Sequence, residues 1–403
     1  MNFAERAPWP AYSEEEVEAV AAVLRSNKVN YWTGQESREF EREFASWAHA
    51  EKAIAVSNGT VALDLALQGL GIGAAYGGSA DDEVIVTPRT FIASVSCVVN
   101  AGAVPVFADV DRDSGNLSAE TVAPHVGERT KAVIAVHLAG WPVDLAPMME
   151  LAEARGFAVI EDCAQAHGTL YRGRPVGAIG DIGAWSFCQD KVMTTGGEGG
   201  MVTTDDAAMW DRMWSFKDHG KSWNAVYERE HPPGFRWLHE SIGTNWRMME
   251  MQAVLGRIQL RRMEEWTRIR RRNAQALKDV LRPHAGDNGF VRLPEPDESD
   301  GSLHGHYRLY AYVRPEALPG GWDRDRLVQA VVETGVPCFQ GSCSEVYLEK
   351  AFDGTGWRPD APLPNARELG ETSLMFLVHP TIDEELAGEM AAKVARVLES
   401  VTG

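Results

Sequence analysis

The sequence predicts an α/β protein. A large domain on a mostly parallel sheet spans residues 1–264 and includes an N-terminal helical segment, and a smaller α+β domain follows over 265–403. Three observations predict it. Between Ala53 and Asp162, short apolar runs alternate with helical patterns, which is how parallel strands joined by crossover helices read. The stretch from Ala184 to Thr204 reads as strand, loop, strand, with Lys191 and four glycines in the loop. A long, charge-laced helical stretch from Glu250 to Leu281 then leads from the first domain into the second.

The elements follow in order. Ser13 caps a helix with an acidic first turn, and Glu36 to His49 is a second amphipathic helix, with a turn at Asn30–Gly34 between them. Ala53–Ser57 is a short strand, and Asn58-Gly59-Thr60 opens a helix that ends near Gly69. Gly71 to Asp82 is a glycine-rich loop. Glu83–Pro88 is a buried strand, and Thr90-Phe91 starts another helix. Strands at Ala103–Asp109, Thr130–His137 and Phe157–Asp162 are separated by helices at Ala119–Val126 and Leu145–Arg155. In such a sheet, ligands bind beyond the carboxyl ends of the strands. Gly59, Phe91, His137, Asp162 and Lys191 are therefore expected around one crevice. Asp205–Gly220 is helix then turn, Lys221–Glu240 an irregular excursion, and the second domain has a strand at His306–Val313 and helices at Asp323–Thr334 and Asp383–Leu398.

Three of these positions together suggest chemistry. A lysine among apolar and glycine-rich neighbours is partly desolvated, which favours the neutral amine that can form a Schiff base. Lys191 would equally suit an ordinary surface hairpin. The N-terminus of the helix after Ser57 can cradle an anion, although helix capping accounts equally well for Asn58 and Thr60. Asp162 ends a strand. A phosphate cradle, a strand-end acid and a loop lysine are together what pyridoxal 5′-phosphate requires.

With those residues, from about Tyr31 to Arg257 and more weakly to the C-terminus, the chain resembles the DegT/DnrJ/EryC1/StrS sugar aminotransferases. The resemblance implies the fold-type-I architecture, with a mostly parallel sheet of the seven-stranded type. It implies that Lys191 carries the cofactor and then serves as the base that moves a proton during transamination. Asp162 would pair with the pyridine nitrogen and keep it protonated. Gln165 would sit beside the ring, Phe91 stack on it, and Gly59, Thr60 and Ser186 hold the phosphate. Asn245, in Gly243-Thr-Asn-Trp-Arg247-Met, would reach the phosphate from a partner subunit, making the enzyme a homodimer with shared sites. Phe91 as core filler remains equally compatible with the residues themselves, and Arg247 could hold the donor's carboxylate or form an interface salt bridge. His137 and His167 also match family positions but stay outside the expected site.

Composition limits the alternatives. A formal net charge of −19 argues against nucleic acid or anionic membranes as partners. Five scattered cysteines form no disulfide framework, and the start of the chain lacks an apolar signal region, so a cytoplasmic setting is expected. The cysteines and histidines show no metal-ligand spacing, so no metal is expected. No Gly-x-Gly-x-x-Gly follows a first strand, which counts against a nucleotide-sugar enzyme or binding protein using NAD. Some relatives carry histidine in place of the lysine and dehydrate sugars, and Lys191 argues against that reading. The resemblance leaves the substrate open. A nucleotide-linked 4-keto-6-deoxysugar, an 8-oxo-3-deoxy-octulosonate, and cyclitols or other ketones are all compatible, with L-glutamate the family's common donor. The stretch from Cys338 to Phe352 lacks the histidines that members acting on nucleotide sugars tend to carry there.

Overall fold

In the computed structural model, which describes residues 3–402, the seven expected runs form one sheet. Its strands are β1 Lys52–Val56, β2 Glu83–Val86, β3 Val104–Phe107, β4 Thr130–Val136, β5 Ala158–Asp162, β6 Ile182–Ser186 and β7 Gly200–Thr204. Their spatial order is β1-β7-β6-β5-β4-β2-β3. β7 runs antiparallel to both neighbours, and the remaining pairings are parallel.

The strands read as continuous apolar runs because both faces of the sheet are covered. Alternate residues of β1 show this: Ala53 and Ala55 face Phe40, Phe44 and Trp185, whereas Ile54 and Val56 face Leu65, Trp210 and Trp214. Helix Glu36–Ala48 covers one side, and Gly59–Leu70 and Ala207–Lys217 cover the other. Val136 pairs with Asp162, and Asp162 with Ala184, so β4, β5 and β6 end at one edge. The helix after β1 starts at that same edge.

The C-terminal part carries a second sheet of strands β8 Val291–Arg292, β9 Arg308–Val313, β10 Cys338–Phe339 and β11 Ser373–Leu377, in the order β8-β9-β11-β10 and all antiparallel. Helices Met263–Leu281, Arg324–Glu333 and Glu384–Thr402 close its core around Leu277, Leu327, Phe376 and Val394. The first described residues belong to this lobe in space. Ala7 is buried in its core, and Arg6 forms a two-point ion pair with Glu389 at 2.6 and 2.9 Å.

Two expectations need correction. The helical stretch from Glu250 to Leu281 is two helices, Glu250–Leu260 and Met263–Leu281, which break at Arg261 and Arg262. No glycine or proline marks the break. It coincides with tertiary ion pairs, Arg262 meeting Glu15 and Glu16 at 2.8 Å each. Thr90, Phe91 and Ile92 precede the next helix instead of starting it, since it spans Ala93–Asn100. Among the described residues no helix is long and apolar enough to cross a membrane.

Candidate functional site

A cavity of about 570 Å³ opens where β4, β5 and β6 end. Gly59, Thr60, Phe91, Asp162, Gln165, Ser186 and Lys191 all line it, although they come from four separate stretches of chain.

The helix after β1 presents its N-terminus here. Asn58 caps it through a side-chain oxygen that accepts from the Val61 N–H at 2.9 Å. A Cβ on Gly59 would lie 2.5 Å from the Cβ of Ser186, so only glycine lets the helix N-terminus approach β6 this closely. Asp162 is buried at the end of β5. Its Oδ2 accepts from the Ser94 hydroxyl at 2.8 Å, and its Oδ1 from the Ala164 N–H at 3.1 Å. Burial raises its pKa, and the Ala164 and Ser94 donors, then Lys191 and His137, offset that only in part. Among the described residues Asp162 forms no ion pair, so a buried carboxylate here lacks its cation. Phe91, 69% exposed, offers a bare ring face to the same space.

Lys191 sits in the loop between β6 and β7 with only 16% of its side chain exposed. Its Nζ lies 3.7 Å from Asp190 and 5.3 Å from the centre of the Tyr307 ring. Burial alone would raise the Asp190 carboxyl, but Lys191, the Tyr307 hydroxyl and Arg308 together hold it below the usual carboxylate range. Gln165 accepts from the Ala139 N–H at 2.8 Å, and Ser186 from the Cys188 N–H at 3.3 Å.

His137 does not face the crevice. Residues along a strand alternate between faces, and Val136 lines the cavity while the next residue turns away from it. The His137 ring lies 3.0 Å from Glu161, on the far side of the sheet from Asp162, and accepts from the Val143 N–H at 2.9 Å. Glu161 also takes N–H groups of Gly177, Ile179 and Gly180, so His137 and Glu161, beside the buried Cys163, are hydrogen-bonded as protein structure. His167 is likewise buried away from the cavity, packed against Trp185 and Phe187. Arg247 is tied to the buried Asp218 at 3.0 Å within the same chain. Asn245 is exposed beside it and does not line this chain's cavity.

Sequence reasoning missed Ser94, with Thr90 at 2.9 Å behind it, and the Tyr307–Asp190 hydrogen bond. The signal for the first was present. A threonine and a serine four residues apart just after a parallel strand fall at the crevice, Thr90 in the turn before the helix and Ser94 in its first turn.

A profile of the DegT/DnrJ/EryC1/StrS aminotransferase family matches residues 10–395. The chain belongs to that family. It is an aminotransferase that uses pyridoxal phosphate. The chain is 34% identical to the GDP-perosamine synthase of Escherichia coli O157:H7 over 91% of its own length and 95% of that protein. It is also 34% identical to the dTDP-3-amino-3,4,6-trideoxy-alpha-D-glucose transaminase of Streptomyces venezuelae, over 94% of its length and 91% of that protein. Among solved structures, an aminotransferase from Psychrobacter cryohalolentis superposes with a TM-score of 0.95 at 57% identity, covering 98% of this chain and all of the other.

The cavity fits the cofactor on its own geometry. The glycine-enforced approach of a helix N-terminus suits a phosphate. The uncompensated buried Asp162 suits a ring N–H⁺, and the Phe91 face suits a flat ring.

Proposed function

We propose that this enzyme transfers an amino group from an amino acid, L-glutamate in the first instance, to the keto group of a nucleotide-linked sugar, in a cavity built around Lys191 and Asp162. The observation that carries the reading is that Lys191 and the buried Asp162 line one cavity with the helix N-terminus at Gly59 and Thr60. The nucleotide-linked sugar is supported by the printed names of two relatives, each about a third identical over nearly the whole chain.

Pyridoxal phosphate supplies a carbonyl that condenses with amines and a ring that absorbs the electrons released at the neighbouring carbon. The protein supplies the rest. Lys191 Nζ holds the cofactor covalently. Freed by the donor's amine, the same Nζ would act as the base that carries a proton from the donor α-carbon to the former carbonyl carbon on the far side of the nitrogen. Asp162, oriented by Ser94, holds the proton on the ring nitrogen. A cation placed against its Oδ atoms restores the carboxylate that burial alone disfavours. Backbone N–H groups of Gly59 and Thr60, with the hydroxyls of Thr60 and Ser186, bind the phosphate. Phe91 and Gln165 fix the plane of the ring. Asn245 completes the phosphate site of a second subunit, so the working unit is a homodimer. In it, residues 1–264 bind the cofactor, apart from the segment around Phe3–Ala7 that packs on the second lobe, and 265–403 form that lobe.

The test starts from the product side. Nucleotide-linked amino sugars, 8-amino-3,8-dideoxy-octulosonate and amino cyclitols are each mixed with the enzyme, and conversion of the bound cofactor to its aminated form is followed by absorbance. 2-Oxoglutarate then restores the starting spectrum if glutamate is the donor. A response confined to the octulosonate or the cyclitols overturns the nucleotide-sugar assignment and leaves the aminotransferase class intact.

A further inference from the structure

The chain's first ten residues are far from the lysine loop in sequence, yet one of them touches the reactive residue. Trp9 Nε1 donates a hydrogen bond to the backbone carbonyl of Lys191 at 3.0 Å. Its ring is held from several sides. It stacks on His379 at 5.8 Å, meets Trp266 edge-on at 5.3 Å, and has the buried Arg270 guanidinium 5.2 Å from its centre. His379, Trp266 and Arg270 come from the second half of the chain, from residue 266 onward.

The described residues just before Trp9 are fastened to that same lobe. Arg6 is paired with Glu389, Ala7 is buried in the lobe's core, and the Thr381 hydroxyl donates to the Pro8 carbonyl at 2.8 Å. Thr381 is in turn 2.9 Å from His379, which closes the loop back to Trp9. The lysine carbonyl is therefore hydrogen-bonded to an indole whose ring contacts, Trp266, Arg270 and His379, come from the C-terminal part of the chain. On the side-chain end of the lysine, Tyr307 and Arg308 from β9 and the residue before it engage Asp190. The loop is thus gripped by the C-terminal lobe at both ends of Lys191.

We propose that Trp9 is a positioning residue for Lys191: the segment from Phe3 to Pro10 is a strap through which the C-terminal lobe fixes the backbone of the reactive lysine. This rests on Lys191 being the lysine that holds the cofactor. A tryptophan that only fills space could be exchanged for phenylalanine, because the contacts with His379, Trp266 and Arg270 are made by the ring. The indole N–H is the part that requires tryptophan. Placement errors of about an ångström at a reacting group can cost two orders of magnitude in rate, so a backbone anchor on Lys191 has leverage on chemistry rather than on binding.

The experiment compares Trp9→Phe with the unaltered holoenzyme. In Trp9→Phe, the pH midpoint of the visible band of the lysine-linked cofactor is expected to shift. Cofactor-free protein should capture pyridoxal phosphate about fivefold more slowly, and kcat should fall about fivefold while KM for either substrate moves less than about twofold, as expected for one lost hydrogen bond at the reacting residue. Thr381→Val, which cuts the strap's tie at Pro8 without touching Trp9, should shift the band in the same direction by less. It also serves if Trp9→Phe does not fold. An unshifted band and an unchanged capture rate in whichever variant folds overturn the inference. Borohydride reduction and peptide mapping of the unaltered enzyme test the underlying assignment separately. A label on another lysine overturns the Lys191 reading, whereas a label on Lys191 beside an unshifted variant overturns only the strap.

Discussion

Ser94 stands 2.8 Å from Oδ2 of Asp162 and donates its hydroxyl to it, across 68 residues of sequence. Asp162 is thereby oriented from the helix that follows β2, and the oxygen that faces the ring nitrogen in our reading is not free to rotate. Thr90, at 2.9 Å from Ser94, extends the chain of hydroxyls. Ser94→Ala should therefore lower kcat by about ten- to a hundredfold, the value of a hydrogen bond to a charged group. Melting temperature should change little. Steady-state kinetics on the purified variant check this, and unchanged kcat would show that Asp162 holds its position without Ser94.

Asp162→Asn removes the counter-charge from the ring. The fold should persist, since asparagine keeps the shape and can still accept from Ser94. Turnover should drop by about four orders of magnitude, by analogy with the loss of an orienting carboxylate elsewhere. Near-normal turnover would exclude Asp162 as the ring's partner.

Lys191→Ala should abolish transamination and leave the cofactor held only noncovalently. After borohydride treatment of the unaltered enzyme, mass spectrometry should find the pyridoxyl group on Lys191. In the variant it should find none.

Asn245 is exposed and absent from its own chain's cavity. If it serves a second subunit, mixing Lys191→Ala with Asn245→Ala chains gives heterodimers in which one of two sites has both residues. Activity should reappear on mixing two nearly inactive proteins. Heterodimers that form without recovering activity would mean that each site is self-contained.

The last prediction concerns acid stability. His167 is buried between Trp185 and Phe187, and burial, reinforced by Arg270 and Lys191, lowers its pKa from the usual 6.5 to about 3. Neither ring nitrogen has a hydrogen-bond partner among the described residues. The unfolded chain therefore binds a proton that the folded chain refuses between those two values. Stability is fully present above pH 6.5 and falls by about 1.4 kcal/mol for each pH unit below it, until the folded pKa is reached. His167→Phe, similar in shape, should be near neutral at pH 8 and more stable than the parent at pH 5. Denaturant melts at the two pH values settle the sign, and equal losses on acidification would refute it.

Local pattern determined much of this protein by itself. The apolar runs that became β1 to β7 and the helix spanning Leu145–Arg155 are legible because a strand buried on both faces must be apolar throughout and a covering helix must carry one apolar face. The Lys191 loop, the Gly59 turn and the strand-end Asp162 are legible because each needs a particular residue type at a strand terminus. The C-terminal lobe was harder to read. Its strands β8 and β10 are two residues each, and β11, Ser373–Leu377, follows directly on helix Pro364–Thr372 with no glycine or proline between them.

Only the tertiary structure decided the rest. Whether His137 or Asp162 faces the cavity depends on a two-residue alternation at a strand end, which a motif match does not resolve. The break at Arg261 and Arg262 coincides with ion pairs to residues near position 15. Ser94 reaches Asp162, and Trp9 reaches the Lys191 carbonyl, through contacts spanning 68 and 182 residues. Sequence periodicity reports which face of an element is buried. It carries no information about which distant side chain lies against that face, because that partner is chosen by the packing of whole elements once the chain has closed on itself.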